Sequence, residues 1–145
     1  MERLLVLTAL AGLVGALVTV GRLLAGRRLR RLRELRPGPL WAALETAPDG
    51  RAAVVAFSSP RCAACHTAQR PALAALEERA QGRVRVVHVD TTERPEAARA
   101  FGVMTVPATV VLDARGAVVA ANQGFATTEK LAGQLGLYPA PAGST

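Results

Sequence analysis

Aromatic side chains are scarce in this chain: one Trp, one Tyr and three Phe among 145 residues, 3% in all. A core here must be built from Ala, Val and Leu, and few rings are available to stack on bases or to line a haem pocket. Histidine and cysteine are equally sparse, with two of each. A structural zinc site needs four protein ligands. The only set that can be counted is Cys62, Cys65, His66 and His88, in which Cys65 and His66 are adjacent and His88 is poorly aimed from a strand. No metal or other cofactor is therefore expected. Charge imbalance is also missing from most of the chain. Residues 1–36 carry eight Arg and two Glu, a balance of +6, whereas residues 37–145 carry ten Lys or Arg and nine Asp or Glu, a balance of +1. The net +7 thus belongs to the N-terminal segment, and no basic face with interleaved aromatics exists to hold nucleic acid. No internal repeat is present.

What is present is concentrated in Ser58-Ser59-Pro60-Arg61-Cys62-Ala63-Ala64-Cys65-His66. It follows an apolar run, Ala52 to Phe57, that reads as a buried strand, and it opens a segment with helical periodicity from Cys62 to Gln81. The first turn of a helix has unpaired N–H groups and the positive end of the dipole, and both favour thiolate over thiol. In such motifs a cysteine of pKa ~8.5 is drawn to roughly 7 or below. Spacing i, i+3 puts both sulfurs on one helix face, where they can close into a disulfide. Cys62, nearer the loop, is the expected nucleophile, and Cys65 the resolving thiol.

Leu4 to Gly21 contains no charge, and apolar character resumes through Leu23-Leu24-Ala25-Gly26. A helix of about 20 residues crosses the roughly 30 Å hydrocarbon core. A cleaved signal peptide would need a shorter apolar region and a basic start, so residues 1–26 are expected to be a retained anchor touching lipid through 4–26. Seven Arg from Arg22 to Arg36 follow, against Glu34 alone. That excess predicts a cytoplasmic C-terminal flank, N-out and C-in, with Arg22 snorkelling and the block beyond it gaining from anionic head groups. Residues 27–39 read as an Arg-rich helical stalk and linker, broken at Pro37-Gly38-Pro39.

From 40 the elements follow quickly. Leu40 to Glu45 reads as a short helix, in which Trp41 packs into the domain's own core or linker. After the strand and the cysteine helix, kinked at Pro71, come a β-branched strand over 83–90 and a short helix from Glu96 to Phe101 stopped by Gly102. Strands at 108–112 and 117–121 flank Asp113-Ala114-Arg115-Gly116, a tight turn. A last helix runs from a Thr127 cap to Leu137, and 138–145 reads as a flexible tail. The order is α, β, α, β, α, β, β, α. Its β-α-β unit requires a parallel pair, and its hairpin adds an antiparallel one. An α/β fold results, with a mixed sheet of about four strands between helices on both faces.

Over roughly residues 40–137 the chain resembles the thioredoxin family. The resemblance is carried by Cys62-Ala63-Ala64-Cys65 after a strand, Asp90 at the end of the next strand, Val106-Pro107 before a hairpin, and Gly124 after the last strand. It implies a cis Pro107 lying against the cysteine pair, with Val106 and Pro107 forming the ledge that meets a substrate peptide. It also implies thiol–disulfide exchange with protein disulfides or dithiols, serviced by an upstream electron donor or acceptor. Arg61 beside the nucleophile would favour its thiolate, and His66 either tunes the pair or faces solvent. The departures are specific. Ser58 and Arg61 stand where thioredoxins have tryptophans, Ala63-Ala64 where they have Gly-Pro, and Ala56 where they have a buried aspartate; Pro71 falls one residue late. A cytoplasmic side favours a reductase. An extracytoplasmic oxidoreductase serving cytochrome c maturation and a non-catalytic tethered module are the alternatives. Cys62 to His66 also matches the covalent c-type haem pattern, with Met104 as a conceivable second ligand; the strand-bounded context and the few aromatics stand against it.

Overall fold

A computed structural model describes residues 1–137. The expectation of a flexible tail at 138–145 lies outside the described residues. The elements are α1 (Glu2–Glu34), α2 (Pro37–Ala43), β1 (Ala52–Ser58), a π-helical turn (Cys65–Gln69) running into α3 (Arg70–Ala80), β2 (Val84–Asp90), α4 (Pro95–Ala100), β3 (Ala108–Leu112), β4 (Val118–Gln123) and α5 (Thr128–Gln134). After α1 this is the expected order. The sheet runs β2-β1-β3-β4, with β1 and β2 parallel and the other pairs antiparallel.

β1 sits centrally because both its faces are apolar. Side chains alternate along a strand, so Ala53, Val55 and Phe57 enter one core layer with Leu40, Trp41, Leu44 and Phe101. Val54 and Ala56 enter the other with Leu73, Leu76 and Leu131. The first layer is covered by α2 and α4, the second by α3 and α5. Trp41 is buried in the first layer, as expected. Helix α3 ends at Gln81, which adopts a left-handed conformation (φ 48°), followed by Gly82 at φ +79°. Thr127 caps α5, accepting from Lys130 N–H at 3.1 Å.

Two expectations need correction. The break between α1 and α2 falls on Leu35 and Arg36, not on Pro37-Gly38-Pro39. Arg36 is extended (φ −63°, ψ 141°), as the residue before a proline is driven to be. Pro37 starts α2 because the first helical N–H has no partner to lose. Second, the end of α1 does not stand off from the domain as a stalk, because one of its faces packs on it. Leu32 is only 4% exposed in the first core layer, Leu29 packs beside it, and Arg33 Nη2 donates to Val119 O at 2.6 Å. Val119 is the bulged residue of β4, since Val118 and Ala120 pair with Leu112 and Val111. Its carbonyl is turned out of the ladder, where Arg33 reaches it. At the expected kink, the helix accommodates Pro71 by widening ahead of it. Arg70 N–H reaches back to Cys65 O, a five-residue step. A π turn accommodates one extra residue, in keeping with a proline that falls one position late.

The hairpin turn contains a sharp steric constraint. Gly116 has φ +83°, and a Cβ there would overlap Trp41 Nε1 and press on Cδ1 at 3.2 Å. Gly50 has a similar φ, +82°, with nothing within 4 Å. Gly116→Ala is therefore expected to lower the unfolding free energy by about 1–3 kcal/mol, and Gly50→Ala by clearly less. Urea titrations followed by Trp41 fluorescence compare the two directly.

Candidate functional site

The cysteine loop leaves the C-terminal end of β1. Cys62 N–H donates to Ser59 O at 3.1 Å, a turn that delivers Cys62 to the start of the helix. Cys62 and Cys65 form a disulfide with Cα atoms 5.3 Å apart. Cys65 N–H donates to Cys62 Sγ at 3.1 Å. Cys62 is half-buried and Cys65 is 4% exposed. The geometry thus gives the outer sulfur what a thiolate needs, a first-turn amide and the helix dipole. The inner sulfur lies behind it, within bonding reach.

The same sheet edge carries the proline. Phe57 pairs with Ala108 across the β1/β3 register, so Pro107 lies one step beyond, level with Ser58. The Val106–Pro107 peptide is cis, as the resemblance implies. Pro107 is buried, Val106 half-buried, and Pro107 O accepts from Gly124 N–H at 2.8 Å. Cys62, Val106, Pro107 and Gly124 are thereby gathered at one end of the sheet. Arg61 is exposed on the loop. His66 is also exposed, with Nε2 3.3 Å from Pro60 O, so it braces the loop that presents Cys62. Asp90, at the end of β2, accepts from Thr92 N–H at 2.8 Å and from Thr92 Oγ1 at 2.6 Å. Hydrogen bonding by Thr92 holds its carboxyl below the usual carboxylate range.

Two contributors are not evident from the sequence. Gln69 is buried, and its amide donates to Ala126 O at 3.0 Å and accepts from Ala126 N–H at 2.9 Å. It locks the cysteine helix to the segment that follows Gly124. Its signal is faint: a polar residue one turn past Cys65 on the inward face. Truncation to Ala would leave both buried backbone groups of Ala126 unpaired. Gln69→Ala is thus expected to cost about 1–3 kcal/mol in denaturant-induced unfolding. The second is His88, which the sequence places in a strand. It is exposed and lines a small pocket behind the disulfide with Ala56, Ser58, Cys65, His66 and Gln69. The register explains its place, because His88 pairs with Ala56 in parallel strands and their side chains share a face. The pocket holds about 20 Å³, room for one water molecule. Among the described residues no cluster of three or more His, Cys, Asp or Glu is placed to hold a metal ion.

The comparisons agree with this geometry. None of the curated proteins matches the chain. Among solved structures it is similar to Fasciola hepatica thioredoxin, at 28% identity and a TM-score of 0.53 over 62% of this chain and 83% of that one. It is also similar in fold to chloroplastic thioredoxin z (20% identity, TM-score 0.57, 71% and 89% covered). Thioredoxin-2, described as a component of malaria parasite protein secretion machinery, is a third (23% identity, TM-score 0.56, 61% and 84% covered). The thioredoxin family model matches residues 44–136, well over half of the sequence and the whole span from the end of α2 to α5. A mixed four-stranded sheet, a Cys-x-x-Cys disulfide at a helix start and a cis proline at the same end of the sheet all lie within that match, and the chain belongs to the thioredoxin family.

Proposed function

We propose that this protein is a membrane-tethered thiol–disulfide oxidoreductase, working as a reductase of protein disulfides. The observation that carries the reading is the amide of Cys65 directed at Cys62 Sγ, at 3.1 Å, at the start of a helix. In the reduced protein, Cys62 thiolate attacks one sulfur of a substrate disulfide. The substrate's other sulfur leaves as a thiolate and takes a proton. Cys65 then loses its proton and attacks Cys62 Sγ in the mixed disulfide, releasing the second substrate thiol. Two electrons have passed to the substrate, and Cys62–Cys65 is oxidised. An upstream dithiol donor must restore the pair. No other cofactor is required. Val106 and Pro107 supply the ledge for the substrate chain, Arg61 favours the thiolate by its charge, and His66 positions the loop.

Residues 1–26 serve as the anchor, 27–39 as the juxtamembrane connection and 40–137 as the catalytic domain. Among the described residues one helix is long and apolar enough to cross a membrane, Glu2–Glu34. The Arg excess beyond its apolar part supports a cytoplasmic domain, and a cytoplasmic domain supports reduction rather than oxidation. A membrane-impermeant thiol label on intact and lysed cells tests the side. Protection of the reduced cysteines in intact cells is expected. Labelling in intact cells would instead favour an extracytoplasmic oxidoreductase of the kind that serves cytochrome c maturation. Insulin reduction driven by dithiothreitol tests the chemistry, and no acceleration over dithiothreitol alone would leave a non-catalytic tethered module.

A further inference from the structure

The docking of α1 on the domain fixes which way the redox edge faces. Arg33 bonds Val119 O near the start of β4. Further back along α1, Ala25, Gly26, Arg28 and Leu29 form a groove with Ala121 and Gln123, near the end of β4. Arg28 also lies over Gly102, within 3.0 Å of where a Cβ would stand. Helix and strand are therefore antiparallel. The distances are consistent: Gly26 to Arg33 spans about 10 Å of helix, and Val119 to Gln123 about 13 Å of strand. The C-terminal end of β4 points back toward the apolar part of α1. That end pairs with the start of β3 through Ala108↔Gln123, and Ala108 pairs with Phe57 at the end of β1. The cysteine loop, Val106–Pro107 and Gly124 consequently look toward the spanning segment. The opposite end of the sheet, with the Asp113–Gly116 turn, looks away.

Level matters as much as direction. If about 20 residues from Leu4 fill the hydrocarbon core, residues 25–29 lie in the head-group layer, roughly 5–7 Å thick on each side. Gln123 and Gly124 stand at the height of residues 25–26. Two large apolar side chains are exposed on that side. Beyond Leu35, which adjoins α1, the exposed large hydrophobic side chains of the domain among the described residues are Met104 (84% exposed) and Phe125 (47% exposed). Met104 is three residues before Pro107, and Phe125 follows Gly124. Both flank the redox edge, and exposed Arg61 adds a cation facing the same way.

We infer that the disulfide is presented face-on to the bilayer, with Met104 and Phe125 resting in the interfacial layer. The substrate class would then be a cysteine pair of a membrane protein, in the first residues outside its spanning segment. The substrate half of this inference rests on the proposed oxidoreductase activity; the orientation does not. A remote cytosolic loop would have to enter between domain and membrane, whereas cysteines at the head-group level meet the edge directly.

Two measurements on the full chain, in vesicles of phosphatidylcholine and phosphatidylglycerol, decide the two halves. Phe125→Trp is compared with the unaltered protein, whose Trp41 lies beside Gly116 at the far end of the sheet. With a nitroxide on the lipid head group, the emission that Phe125→Trp adds is expected to be blue-shifted and quenched several-fold more than that of Trp41. Added emission with a water-exposed maximum, quenched no more than Trp41, would overturn the orientation. For the substrate, a disulfide peptide is attached to lipid through a tether of about two residues or one of about forty Gly/Ser residues. The short tether is expected to be reduced roughly tenfold faster, because it holds the cysteines at the height of the edge. Equal rates, or a faster long tether, would overturn the substrate class. Failure to reduce either tethered peptide or insulin would overturn the oxidoreductase reading and leave the quenching result standing.

Discussion

Cys62→Ser is expected to abolish catalysed disulfide reduction, lowering turnover on the order of a thousandfold or more. Serine keeps the size and loses the chemistry, because a hydroxyl is not ionised near neutral pH and forms no bond with a substrate sulfur. Cys65→Ser has a different signature. Its outer thiolate still attacks, but nothing inside the helix can release the product, so a mixed disulfide with substrate accumulates. Non-reducing gel electrophoresis after acid quenching separates the two variants, with a trapped adduct for Cys65→Ser and none for Cys62→Ser. The asymmetry follows from burial: Cys65 is 4% exposed and Cys62 stands in front of it.

The largest effect on stability is expected at Phe101. Its ring meets Phe57 at 5.5 Å with an interplanar angle of 54°, and both are 1% exposed. In a chain with three Phe, this pair supplies much of the bulk in a layer otherwise made mainly of Ala, Val and Leu. Phe101→Ala removes the ring and leaves a void that small neighbours cannot refill, at a cost of about 3–5 kcal/mol. Against a typical total of roughly 5–15 kcal/mol, that brings the domain near its unfolding limit. Because Phe57 directly precedes Ser58 at the edge of the site, disulfide exchange should weaken as the edge loosens. Phe125→Ala is the control: with its ring 47% exposed, it should leave the urea midpoint nearly unchanged.

Much of the fold can be read from the residues because local rules and tertiary demand coincide. Ala52 to Phe57 is apolar on both faces, and β1 is central. Asp113 to Gly116 has turn chemistry, and a hairpin forms there. The cysteine spacing places both sulfurs on one helix face, where they join. The places where reading fails are those decided by contacts between segments distant in sequence. The arginine block is charged enough to be taken for a stalk and linker, yet Leu29 and Leu32 recur at helical spacing on its inner face, Leu32 in the core and Leu29 packed against it. Arg33 finds a carbonyl on the open edge of β4, which no local pattern announces. The prolines at 37 and 39 read as a break because proline disrupts helix interiors; at a first turn the same residue begins a helix. His88 reaches the pocket behind Cys65 only through the register of β1 with β2.

The most direct test of the central claim is the pH dependence of iodoacetamide alkylation of the reduced full-length protein, with Cys62 and Cys65 followed separately by mass spectrometry. Cys62 is expected to react first, with an inflection well below the ~8.5 of a free cysteine, while Cys65 remains protected. Equal reactivity of both thiols, each with an ordinary inflection, would contradict it.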